Sequence, residues 1–120
     1  MRIFKTCIEE NIYIVELRHI FGFVFDDDRK AIEVKGELEI FDKCLKAIQV
    51  NYPIFWCKII TCGLKVLGKD HIQKQIDDMI EGKGMEDYKY LLAAYDMVNE
   101  EDTTPGIQEF AQLIMKAQEK

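Results

Sequence analysis

The chain has 120 residues, 48% of them hydrophobic and 32% charged, a balance that fits one folded domain and excludes global disorder. Its net charge of −6 leaves no basic stripe to displace counterions, which excludes a nucleic-acid grip. No apolar run approaches the roughly 20 residues needed to span a bilayer, so no membrane segment is expected.

The first stretch, "MRIFKTCIEENIYIVELR", is no signal peptide, because Glu9, Glu10 and Glu16 interrupt any apolar core, and a cytoplasmic location is the default. Within it, "IYIVELR" (12–18) is rich in β-branched residues and predicts a strand. The following "IFGFVFDDDRKAIEV" (20–34) predicts a β-hairpin with a charged turn at Asp26–Lys30, at the carboxyl end of that strand. Leu38, Phe41, Leu45 and Ile48 recur at helical spacing and predict a helix over 36–50. "CKIITCGLK" (57–65) predicts a second strand. A helix follows over 70–82, with Asp70 as N-cap, a stripe of Ile72, Ile76, Met79 and Ile80, and Gly82 as its stop. "YLLAAYDM" (90–97) is a third strand, weakened by Ala93 and Ala94. The last helix spans 104–119, with Thr104 as cap, Pro105 in its first turn, and Ile107, Phe110, Ile114 and Ala117 as its buried face.

All three strands are largely apolar on both faces, as in a parallel sheet covered by helices. The order β-α-β-α-β-α makes the chain α/β. A complete (β/α)₈ barrel runs to about 250 residues. The expected fold is therefore a partial (β/α)₈ TIM barrel of about three βα units, with a hairpin after the first strand, in one domain spanning 1–120.

Glu16 and Arg18 close the first strand and share a parity, so both project from one face near its carboxyl end. The favoured reading is an Arg–Glu pair; the sharper one is a ligand-facing carboxylate. Asp96 ends an apolar strand and must be paired, hydrogen-bonded or facing a polar cavity. The acids after it, Glu100, Glu101 and Asp102, lack the alternating oxygen ligands and placed glycine of a calcium loop. Of the two histidines, His71 reads as solvated, and His19 follows a strand where it could line a pocket. Two histidines in separate elements do not make a zinc site. Cys7, Cys44, Cys57 and Cys62 form no C-x-x-C pair and read as buried thiols. No phosphate loop or nucleophile elbow appears.

Three stretches, "YIVELR", "YPIFWCKIITCGLK" and "AAYDMVNEEDTTP", resemble in order and spacing the middle of the adenosine deaminase family. The likeness is greatest to its adenosine deaminase-related growth factor branch, and it covers residues 11 to 118. The last stretch is the specific one, similar to a strand end reading A-G-[YF]-D-[LM]-V-x-x-E-D. The resemblance implies a (β/α)₈ barrel whose strands three to five are encoded here. It also implies a zinc-dependent aminohydrolase that converts adenosine to inosine and ammonia.

By the same resemblance, Glu16 points toward the ribose, Asp96 lies beside the substrate, and Glu100 and Glu101 sit on the rim of the pocket. Asn99 stands where many members have a glycine whose backbone approaches the purine, and Ala94 replaces a second glycine. The family's metal-binding histidines and proton-shuttling glutamate fall outside the matched stretch. No catalytic or metal-binding residue is therefore assigned, and this chain alone is expected neither to hold zinc nor to deaminate. Relatives of the growth-factor branch are often secreted. The competing expectation is a non-catalytic nucleoside-binding or protein-interaction module.

Overall fold

The computed structural model describes residues 1–99 and 106–118, without the side chain of Lys116. Helix α1 (Arg2–Glu9) precedes the first strand and has no counterpart in the predicted elements. Phe4, Cys7 and Ile8 fall at i, i+3 and i+4 on it, and Phe4 packs its ring 5.2 Å from Phe55. Asn11, at φ 60°, turns the chain out of the helix while Ile12 N donates to Cys7 O.

Strands β1 (Ile14–His19), β2 (Trp56–Leu64) and β3 (Leu92–Val98) pair in parallel in the order β1-β2-β3. Helix α2 (Val34–Gln49) joins the first two, and α3 (Gly68–Gly84) joins the second and third. A 3-10 turn (Ile107–Phe110) leads into α4 (Ala111–Gln118). The predicted cap Thr104 and the predicted first-turn Pro105 lie outside the described residues. Among the described residues, no helix is long and apolar enough to cross a membrane.

The helices cover one face of the sheet. Val15, Leu17, Cys57 and Ile59 pack with Phe4, Leu38, Leu45 and Phe55 in one apolar cluster. Tyr95 and Met97 pack with Ile72, Ile76 and Phe110 in a second. The opposite face, carrying Ile14, Trp56, Ala93 and Ala94, is exposed, with Ile14 at 77%. Parallel sheets are normally covered on both faces, so a bare apolar face is the unusual feature of this fold.

The expected hairpin is present in short form: an antiparallel bridge pairs Phe25 with Ala31, Asp26 N donates to Lys30 O and Ile32 N to Val24 O, and Asp26 Oδ1 accepts from Lys30 N in the turn. Three local expectations are corrected. Asp70 lies inside the first turn of α3, which begins at Gly68 (φ 82°) with Leu67 in the cap position, and makes no cap. Gly82 does not stop that helix: a Cβ there would meet Leu92 Cδ1 at 2.7 Å, so its role is close packing. Ile107 is exposed, since the 3-10 turn rotates it away from buried Phe110.

Candidate functional site

Strand alternation decides what the bare face carries at its carboxyl end. In β1 the odd residues Val15 and Leu17 face the helices, so Glu16 and Arg18 face outward, as their shared parity predicted. In β2 the same rule turns Lys58, Ile60 and Cys62 outward, in register with Glu16, Arg18 and, across the other edge, Asp96.

Asp96 reaches this face through a β-bulge. Ile59 pairs with Leu92, but Ile60 pairs with Ala94, so Ala93 is the extra residue. Leu92 packs in the helix-side core, and simple alternation from it would send Asp96 to the same side. The bulge reverses the parity, so Tyr95 and Met97 face the helices and Asp96 faces out.

Arg18 Nε donates to Asp96 Oδ2 at 2.9 Å, spanning β2 from one neighbouring strand to the other. This corrects the expected Arg–Glu pair: Arg18 pairs with Asp96, because Glu16 is two residues back on the same strand and Asp96 is brought across by the bulge. The hydrogen bond and charge of Asp96 raise the pKa of Arg18. Cys62, the register partner of Asp96, is 1% exposed, and burial first, then the charge of Asp96, pushes its thiol pKa up.

Asp96 also lines a cavity of about 340 Å³ with Lys65, Tyr95, Met97, Ile107 and Ile114. Lys65, just past β2, is buried; among the described residues the Tyr95 hydroxyl is buried without a hydrogen-bond partner. Asn99 follows β3 at φ 152°, a backbone region that glycine favours. The position at which the resemblance implies a glycine thus has a glycine-like backbone while carrying a side chain. Glu100 and Glu101 lie outside the described residues. A larger cavity, about 500 Å³, opens on the helix side away from these acids, between residues 22–34 and α3. Its size alone does not make it the site, because the acids singled out in the sequence are elsewhere.

Both histidines face away from Asp96. His19, last in β1, points to the helix side, its Nε2 2.5 Å from Glu37 Oε2 and its ring edge-on to Phe21 and Phe41. Glu37 is 1% exposed and also accepts from Gly22 N at 2.8 Å. The pair borders an apolar cavity of about 310 Å³ with Phe4, Ile40 and Cys44. The sequence reading missed this pair, although Glu37 stands four residues before Phe41 of the α2 stripe, a charge on a buried face. His71, expected to be solvated, has its Nε2 buried without a partner among the described residues, and Phe23 of the 20–34 loop stands edge-on to its ring at 6.4 Å.

Among the described residues, no group of three or more His, Cys, Asp or Glu side chains could hold a metal ion. They do not fit the zinc site that the resemblance implies. In comparisons with known proteins, no protein-family model matches the chain, and no curated protein matches it significantly.

Proposed function

We propose that this chain forms the central wall of an adenosine deaminase-type aminohydrolase, an arc of a (β/α)₈ barrel whose bare sheet face is the inner face. The observation that carries the reading is the Arg18–Asp96 bridge. It sits at the carboxyl ends of consecutive parallel strands, on an apolar face that parallel sheets elsewhere bury. Further βα units would close that face, and the reaction of the whole would be adenosine and water to inosine and ammonia.

In this reading the residues of the chain bind and orient. Asp96, fixed by Arg18, offers a carboxylate oxygen to an N–H of the purine, and Glu16 offers one to a ribose hydroxyl. No metal-assisted step is assigned to the described residues. The test is calorimetric titration of adenosine into the chain produced with its in-frame neighbouring sequence. Saturable binding that is lost in Asp96→Ala is expected; binding indifferent to that substitution sinks the reading.

The second reading, a non-catalytic nucleoside-binding module, is favoured by the open 340 Å³ cavity that Asp96 lines with Lys65, Tyr95 and Met97. Zinc-independent adenosine binding by the 120-residue chain by itself would select it.

A further inference from the structure

Residues 20–34 are strapped onto the helix layer at three adjoining points. Phe21 N donates to Gln75 Oε1 and Phe21 O accepts from Gln75 Nε2, both at 2.9 Å. Gly22 N donates to Glu37 Oε1, and the Phe23 ring stands edge-on to His71 with centroids 6.4 Å apart. Beneath the strap lies the 500 Å³ cavity, between Ile32, Glu33 and Val34 on one side and Lys74, Asp78 and Glu81 of α3 on the other.

Among the described residues, the Nε2 of His71 is buried without a hydrogen-bond partner. A neutral imidazole tolerates that position, whereas an imidazolium would carry a buried N–H and a positive charge with no acceptor. On its own helix, Lys74 one turn on repels a charge at His71; Asp78 attracts it but is already bonded to Lys74 Nζ at 2.5 Å. From the strap, the Phe23 ring stands edge-on to His71, and Glu33 lines the cavity together with Lys74 and Asp78.

We propose that His71 is the latch of an acid-released strap: protonation of its ring frees residues 20–34 from α3 and opens the cavity beneath. Burial, and secondarily Lys74, also lower the pKa of His71, which is the direction a latch closed at neutral pH requires. Folding holds the ring neutral, so the closed strap is fully stable above the ordinary histidine value and weakens as pH falls below it.

The test is native-state hydrogen exchange of the Phe21 and Gly22 amides, expressed as protection over intrinsic rates, from about pH 7.5 to about pH 5. Protection is expected to fall about threefold to tenfold with acid, while the Ile59 amide in the central strand keeps its protection. The step should vanish in His71→Phe, which keeps the ring packing, and persist in His19→Gln, which removes the other imidazole near the strap. A step that survives His71→Phe, one that disappears in His19→Gln, or a parallel loss at Ile59 overturns the proposal. Should His71→Phe fail to fold, the ring titration of His71 followed by NMR in the unaltered protein decides. A midpoint matching the loss of protection supports the latch, and a mismatched one overturns it.

Discussion

Gly63→Ala and Tyr95→Phe together probe the strand parity on which the site depends. Gly63 of β2 lies directly under the Tyr95 ring: an added Cβ would stand 2.2 Å from the Tyr95 hydroxyl oxygen and 2.6 Å from Ile72 Cδ1. Neither distance is tolerable, and Ile72 is fully buried, so Gly63→Ala should cost about 1–3 kcal/mol through overpacking. Tyr95→Phe removes the closest atom and leaves Cζ at 3.3 Å, a contact that a shift of a few tenths of an ångström relieves. That hydroxyl is buried and unpartnered, so Tyr95→Phe alone should leave stability unchanged or raise it by up to about 2 kcal/mol. In the phenylalanine background Gly63→Ala should cost at least about 1 kcal/mol less than in the tyrosine background. Urea denaturation of the four proteins of this cycle measures the coupling. Equal costs of Gly63→Ala in both backgrounds, or a loss above about 1 kcal/mol from Tyr95→Phe, would refute the placement of Tyr95 on the helix side.

Three further outcomes are expected. Glu37→Leu leaves Gly22 N–H and the His19 ring without their shared acceptor and should cost about 2–4 kcal/mol in the same denaturation assay. Thiol labelling of the native protein at neutral pH should reach partly exposed Cys7 and Cys44 first. Cys57, whose pKa burial pushes up to about 11, and Cys62 should lag, and Asp96→Ala should speed Cys62 by removing the charge that raises its pKa. The Asp42 carboxyl is opposed by burial but held below its ordinary 3.8 by hydrogen bonds from Lys46 and Tyr90. Its contribution to stability is present above that ordinary value and lost as pH falls through the lower folded value, so Tyr90→Phe should shrink the acid-induced loss in a pH series of unfolding curves.

The first two strands were legible because each combines β-branched residues with an apolar run, the third from its apolar run alone, and the helices α2 and α3 because their stripes hold their period. Helix α1 escaped because eight residues give only Phe4, Cys7 and Ile8 as signal, and its ordering comes from packing against Phe55. The parity of Glu16 and Arg18 could be read from β1 alone. The Arg18–Asp96 bond could not, because it depends on a bulge at Ala93, next to Ala94, two small residues whose weak strand propensity was visible but whose geometric effect was not. Glu37 and Gln75 were missed for a related reason: each is a polar residue on a buried helical face, and its acceptor or donor is loop backbone more than ten residues away in sequence. Hydrophobic periodicity registers such residues only as interruptions.

The most direct measurement is conversion of adenosine to inosine by the chain produced together with its in-frame neighbouring sequence, compared with the same protein carrying Asp96→Ala. If the bare face is the inner wall of a deaminase-type barrel, the unaltered protein turns adenosine over. The substitution then lowers kcat/KM by about a hundredfold or more, as expected for losing a polar contact to a buried substrate. No turnover, or turnover unaffected by Asp96→Ala in a folded protein, would contradict it.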